Sequence, residues 1–164
     1  MNRSIIGNLS LTFVSNIISI LISSIITFFV PKYLGIEDYG YFQLYLFYVN
    51  YVGFLHFGWA DGVFLRYGGE HYSDLNKNVF SGQFWLYTII ELLFSVIVGV
   101  MAVCFVEPKD KQIVVTMIAV AIIFLLPRTF LQYVLQATNR IKEYAVAVIL
   151  EKAIYGIGIV ISIS

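Results

Sequence analysis

Apolar residues run along this chain in long blocks separated by brief polar stretches. Between Arg3 and Lys32 there are 28 consecutive uncharged residues, and between Asp38 and Asp61 there are 22. From Asn78 to Val106 the only charge is Glu91, from Gln112 to Asn139 it is Arg128, and from Tyr144 to Ser164 it is the pair Glu151 and Lys152. A helix crossing the roughly 30 Å hydrocarbon core of a bilayer needs about 20 apolar residues. Five such blocks predict an all-α, polytopic membrane helix bundle, a single transmembrane domain over 1–164 with helices near 8–30, 39–60, 79–106, 112–136 and 144–164.

The first block is too long for the 7 to 15 residue core of a secretory signal and is not followed by a small-x-small cleavage site, so it reads as a retained helix. The fifth is still apolar at Ser164, which leads us to expect a segment of a longer protein. The polar connections, about 31–38, 61–77, 107–111 and 137–143, leave no room for an extramembrane catalytic module. Basic residues in short connections favour the cytoplasmic side. An N-terminus inside places Arg3, Arg66, Lys77, Arg140 and Lys142 there and Lys32, Lys109 and Lys111 outside, so a cytoplasmic N-terminus is expected.

Composition narrows the classes. Only 12% of residues are charged and 60% are hydrophobic, where a soluble domain carries roughly 25% charge. Ten basic residues balance ten acidic ones, leaving no basic stripe for nucleic acid. Cys104 is alone, so neither a disulfide framework nor a cysteine metal site is expected. His56 is isolated, and His71 with Asp74 at i, i+3 is not completed into a metal or catalytic set. There is no P-loop, no glycine-rich nucleotide fingerprint and no acidic pair to hold a metal for glycosyl transfer. We therefore expect no enzyme, no catalytic residue, no resident metal and no cofactor.

Polar residues inside the blocks fall on helical faces, the pattern of a helix lining a hydrated path. At 100° per residue, Asn8, Thr12, Ser15, Asn16, Ser19, Ser23 and Thr27 share one stripe about 120° wide. Close helix packing is the other explanation, since Ser and Thr are common at membrane interfaces. Thr88, Glu91, Ser95 and Gly99 mark one face of the third span. A central acid costs roughly 2.5 to 3.5 kcal/mol on insertion, so Glu91 is either a proton or sodium coupling site, a partner for a cavity arginine, or an interhelix hydrogen bond. In the fourth span Pro127 predicts a bend at Arg128, and Gln132, Gln136 and Asn139 continue that face. Arg128 either binds an anionic group or extends toward the cytoplasmic interface. The fifth span carries Tyr144, Ala147, Glu151, Tyr155, Gly158 and Ser162 on one face, with Lys152 about 100° away. The second is aromatic: Tyr41, Tyr45, Tyr48 and Tyr51 lie within about 120°, and an unbroken helix brings Arg66 onto the same side. Such a wall suits sugar stacking and phosphate binding, or plain packing if Gly58 and Gly62 break the helix.

The order of short motifs adds a likeness. A polar first helix ends in Pro31-Lys-Tyr-Leu-Gly-Ile-Glu-Asp-Tyr-Gly40, then come Gly58-Trp-Ala-Asp-Gly-Val-Phe-Leu-Arg66 and Ala137-Thr-Asn-Arg-Ile-Lys-Glu-Tyr144. This resembles the polysaccharide transporter family, the Wzx-type O-antigen flippases within the multidrug, oligosaccharidyl-lipid and polysaccharide exporter superfamily. The resemblance implies most of the first lobe of a two-lobed exporter in the bacterial inner membrane. It implies transport of an undecaprenyl-pyrophosphate-linked oligosaccharide by alternating access for O-antigen, capsule or exopolysaccharide synthesis, with a polysaccharide polymerase and chain-length proteins as partners. Asp61 and Arg66 match the motif after the second helix, and Asn139 to Glu143 match the turn before the fifth. Arg66, Arg128, Asn16, Ser19, Gln132 and Tyr48 are the candidate substrate contacts, and Asp61, Glu91, Glu151 and Lys152 the candidate coupling or pairing groups, with H+ or Na+ as the ion. A five-span scaffold or subunit, and a membrane-embedded enzyme acting on lipid-linked sugars, are the other readings.

Overall fold

The computed structural model describes the backbone of residues 2–163 and the side chains of residues 7, 10–159 and 161. Among them every regular element is helical. Helix α1 (Asn2–Phe29) closes in a 3-10 turn, Val30–Lys32, where Pro31 removes a backbone donor and the amides of Tyr33 and Leu34 both donate to Val30 O. Helix α2 (Ile36–Val52) opens with Glu37 and Asp38, acids that suit the positive end of a helix.

The helix predicted near 39–60 is in fact two. After Val52 the chain tightens into a 3-10 turn, Gly53–His56, then passes through left-handed conformations at Phe57 (φ 47°) and Gly58 (φ 75°) before α3 (Trp59–Tyr67) begins. His56 holds the break, its Nδ1 accepting from the Gly58 amide at 3.0 Å. Asn76 caps α4 (Lys77–Phe105), its Oδ1 accepting from the amides of Asn78 and Val79. Helix α5 (Lys109–Ala137) follows Pro108, and α6 (Ile141–Ile163) follows a turn in which Asn139 is left-handed. Pro127 lies inside α5, and the helix is continuous on both sides of it.

Three stretches among the described residues, Ser10–Lys32, Lys77–Phe105 and Lys109–Ala137, are long and apolar enough to cross a membrane. Helix α2, at 17 residues, and the described part of α6 are not among them.

The chain divides into two compact units, one of Met1–Tyr39 with Arg140–Ser164 and one of Gly40–Asn139. In the first, α1 packs on α6 near Gly156, where an added Cβ would make ordinary contacts, 3.6 Å from Ile22 and 3.7 Å from Ile26. In the second, α5 packs on both α4 and α3. Its buried ridge recurs every four residues through Val114, Ile118, Ile122, Leu126, Phe130 and Val134, the row along which helices interlock. Small residues meet where α4 approaches α5: a Cβ added at Gly99 would stand 3.7 Å from the Ala119 Cβ, and the Ser95 hydroxyl donates to Ala119 O at 2.7 Å.

Candidate functional site

Helix α4 turns a line of polar side chains toward the interior of its unit. Gln83, Tyr87, Glu91 and Ser95 follow one another at intervals of four, so they stack on one face. Ser95 is satisfied by its bond to α5, whereas Gln83 Oε1, the Tyr87 hydroxyl and Glu91 Oε2 are buried with no hydrogen-bond partner among the described residues. Glu91 is 1% exposed, and none of the ion pairs formed by the described residues includes it. The periodicity of Thr88, Glu91, Ser95 and Gly99 locates the inner face, and Tyr87 and Gln83 add to it. Thr88 donates to Phe84 O of its own helix at 2.8 Å, and the line extends back through Tyr87 and Gln83. The Tyr87 ring is held between Trp59 at 6.2 Å and Phe130 at 5.4 Å.

In the other unit, an open groove of about 420 Å³ lies along α1 beside α6, lined by Ser19, Ile20, Ser23, Ser24, Thr27, Phe28 and, from α6, Lys152. Three hydroxyls of the α1 stripe are committed to its backbone, Ser15 to Thr12 O, Ser19 to Ser15 O and Thr27 to Ser23 O. Each oxygen keeps lone pairs to accept from a ligand. Ser15 is buried and Asn16 exposed, so the stripe is wider than any single contact surface. Glu151 is half-buried and has a partner of its own. The side chains of Asn8 and Ser162 lie outside the described residues.

The tyrosines of α2 divide between packing and exposure. Tyr41 and Tyr45 pack against the core, whereas Tyr48 and Tyr51 are exposed and contact Phe47, with ring centroids 5.4 and 5.0 Å apart. The left-handed break at Phe57 and Gly58 means that Arg66 does not continue the tyrosine face. Its guanidinium lies 5.7 Å from the ring centroid of Tyr67. Asp61 lies 3.7 Å from His56 Nδ1, but that nitrogen already accepts from Gly58, so the contact is not a salt bridge at that atom. Arg128 Nη2 donates to Gln132 Oε1 at 3.3 Å, one turn along α5.

The turn into α6 is tied by Arg140 Nε donating to Glu143 Oε1 at 3.0 Å. Its own backbone amide, then Arg140, hold the exposed Glu143 carboxyl below the usual glutamate range. A depressed acid stabilises the fold above its unfolded pKa and loses that contribution as pH falls through the folded one. The first turn of α6 should thus stay intact through the ordinary glutamate range and loosen only in stronger acid. NMR titration of Glu143, with amide exchange at Tyr144, checks this. A midpoint at or above the ordinary value contradicts it.

One pocket went unanticipated. About 580 Å³ in volume, it is lined by Phe64 and Gly68 to His71 from the end of α3, and by Gln136 to Asn139 from the end of α5. The Gly69 amide donates to Ala137 O at 3.0 Å and locks the two segments together. Gly69 has φ +90°, so only glycine takes that turn without strain. The Gly68-Gly69 pair and Asn139 were the available signals. Gly69→Ala is expected to cost about 1 to 3 kcal/mol, while Gly82→Ala, on open helix surface, should be neutral or gain up to about 1 kcal/mol. Thermal unfolding of the two variants in detergent measures the contrast, and equal midpoints contradict it.

Compared with known proteins, this chain matches no known family, no curated protein and no solved structure.

Proposed function

We propose that this chain forms part of one lobe of a bacterial inner-membrane flippase. With a second lobe, it moves undecaprenyl-pyrophosphate-linked oligosaccharide by alternating access for cell-surface polysaccharide synthesis. In this reading α2 and α6 also cross the bilayer, giving five passes with the N-terminus cytoplasmic, and a polymerase and chain-length proteins take the product. The motif order through Pro31–Gly40, Gly58–Arg66 and Ala137–Tyr144 supports it. So does the exposed apolar face of α4, where Leu86, Ile89, Leu93, Val96, Ile97 and Val100 suit contact with membrane lipids.

The observation that carries the reading is the groove between α1 and α6. It sets the Lys152 ammonium beside four hydroxyl side chains within otherwise apolar helices. A cation at that depth is costly by itself. A pyrophosphate passing the groove offsets the cost with charge-assisted hydrogen bonds, and the hydroxyl oxygens accept from sugar hydroxyls. Arg66 and Arg128 are further donors suited to phosphate. Glu91 is the group through which H+ or Na+ coupling acts.

The test is leaflet distribution of lipid-linked repeat units in cells making the full-length protein. Lys152→Ala is expected to lower outer-leaflet delivery at least about tenfold, the equivalent of about 1.4 kcal/mol of lost binding. Normal delivery in Lys152→Ala, Arg66→Ala and Arg128→Ala alike overturns the assignment.

A further inference from the structure

We infer that the pocket between the ends of α3 and α5 is a binding site for a neutral sugar. Its chemistry is selective. The lining contains one carboxylate, Glu70, two carboxamides, Gln136 and Asn139, one imidazole, His71, and one aromatic ring, Phe64, with no lysine or arginine. A phosphate would meet a carboxylate and no fixed cation, which excludes it electrostatically. A polyhydroxylated ring meets what it needs. Carboxylate and amide oxygens accept from hydroxyls, amide and imidazole N–H groups donate to them, and an aromatic face covers the apolar C–H side of the ring.

The pocket is also prepared to bind. Gln136 Nε2 donates to Gln132 O at 3.5 Å, which orients the carboxamide and leaves Oε1 to accept from a ligand. The Glu70 carboxylate makes no hydrogen bond or ion pair among the described residues. Phe64 is braced edge-on by Tyr133, with ring centroids 6.0 Å apart and planes at 86°. The Gly69 to Ala137 hydrogen bond and the left-handed Asn139 fix both walls before any ligand arrives, so little ordering remains to be paid on binding. A volume of about 580 Å³ accommodates one to two sugar rings. The pocket sits where the long apolar helix α5 ends, the level at which a headgroup meets water. That the occupant is the sugar end of a lipid-linked oligosaccharide rests on the transport reading above. That the pocket takes a sugar does not.

The experiment uses the full-length protein in lipid nanodiscs and a panel of free neutral di- and trisaccharides of hexoses and N-acetylhexosamines, read by saturation-transfer NMR. At least one is expected to bind. Glu70→Ala, Gln136→Leu and Phe64→Ala should each weaken that binding about tenfold. Lys111→Ala, in the first turn of α5, should leave it unchanged. Glu70 is exposed on a loop, so its removal tests recognition without threatening the fold. Binding of no sugar, binding indifferent to all three substitutions, or displacement of the sugar by inorganic phosphate would each overturn the assignment. Sugar binding lost in Glu70→Ala alongside normal leaflet delivery in Lys152→Ala, Arg66→Ala and Arg128→Ala supports the pocket and removes the flippase reading. A delivery defect in Lys152→Ala without sugar binding removes the pocket and leaves the flippase reading standing.

Discussion

Phe130→Ala is expected to destabilise the unit built on α4 and α5 by about 3 kcal/mol, the low end of the range for deleting a fully buried aromatic side chain. Phe130 is 0% exposed, and its ring lies 5.4 Å from Phe80, 5.6 Å from Phe84 and 5.4 Å from Tyr87. Within a bilayer the separated helices face lipid rather than water, so transfer out of water contributes little and lost packing contributes most. Three aromatic contacts at about 0.5 to 1.5 kcal/mol each account for an effect of that size. Phe124 provides the control, because it lies on the same helix and is 69% exposed. Phe124→Ala should shift stability by less than about 0.5 kcal/mol. Unfolding of both variants in mixed micelles decides the matter. Equal losses would mean that α5 buries a different face from the ridge running Val114 to Val134.

The ridge explains what was legible beforehand and what was not. Length and absence of charge are local properties, so the blocks that became α1, α4 and α5 could be read directly. The break after Val52 depends on two consecutive left-handed residues, and one of them is Phe57, which carries no turn signature. Gly58 did mark a place where the helix could break, and with the break there Arg66 leaves the tyrosine side. Periodicity located the face of α4 that bears Glu91 and Ser95, yet it could not say that Ser95 would find Ala119 O while the Tyr87 hydroxyl and Glu91 Oε2 would find no hydrogen-bond partner among the described residues. On α1 it found the hydroxyl stripe without revealing that Ser15, Ser19 and Thr27 donate to their own helix. The sugar pocket joins residues 64–71 to residues 136–139, and only the fold brings such distant segments together.

Glu91→Leu is expected to stabilise the α4 and α5 pair and, under the transport reading, to abolish transport. The two effects share a cause. A buried polar atom without a partner costs about 1 to 3 kcal/mol, and Glu91 Oε2 is such an atom in a residue only 1% exposed. Leucine is close in length and carries nothing to desolvate, so removing the carboxyl should raise unfolding stability by about 1 to 2 kcal/mol. A side chain kept at that cost is retained for what it does, which under the transport reading is to take up and release H+ or Na+. Glu91→Gln separates the parts, since it preserves size and polarity but cannot carry a charge. It should keep the fold and lower delivery at least about tenfold, the scale of a lost 1.4 kcal/mol interaction. A purely structural Glu91 predicts the reverse: glutamine tolerated in transport, leucine destabilising, because a hydrogen bond would then have been lost. Measuring unfolding and leaflet delivery on the same two variants tells the two roles apart, and leucine that destabilises alongside glutamine that transports normally removes Glu91 from the coupling assignment.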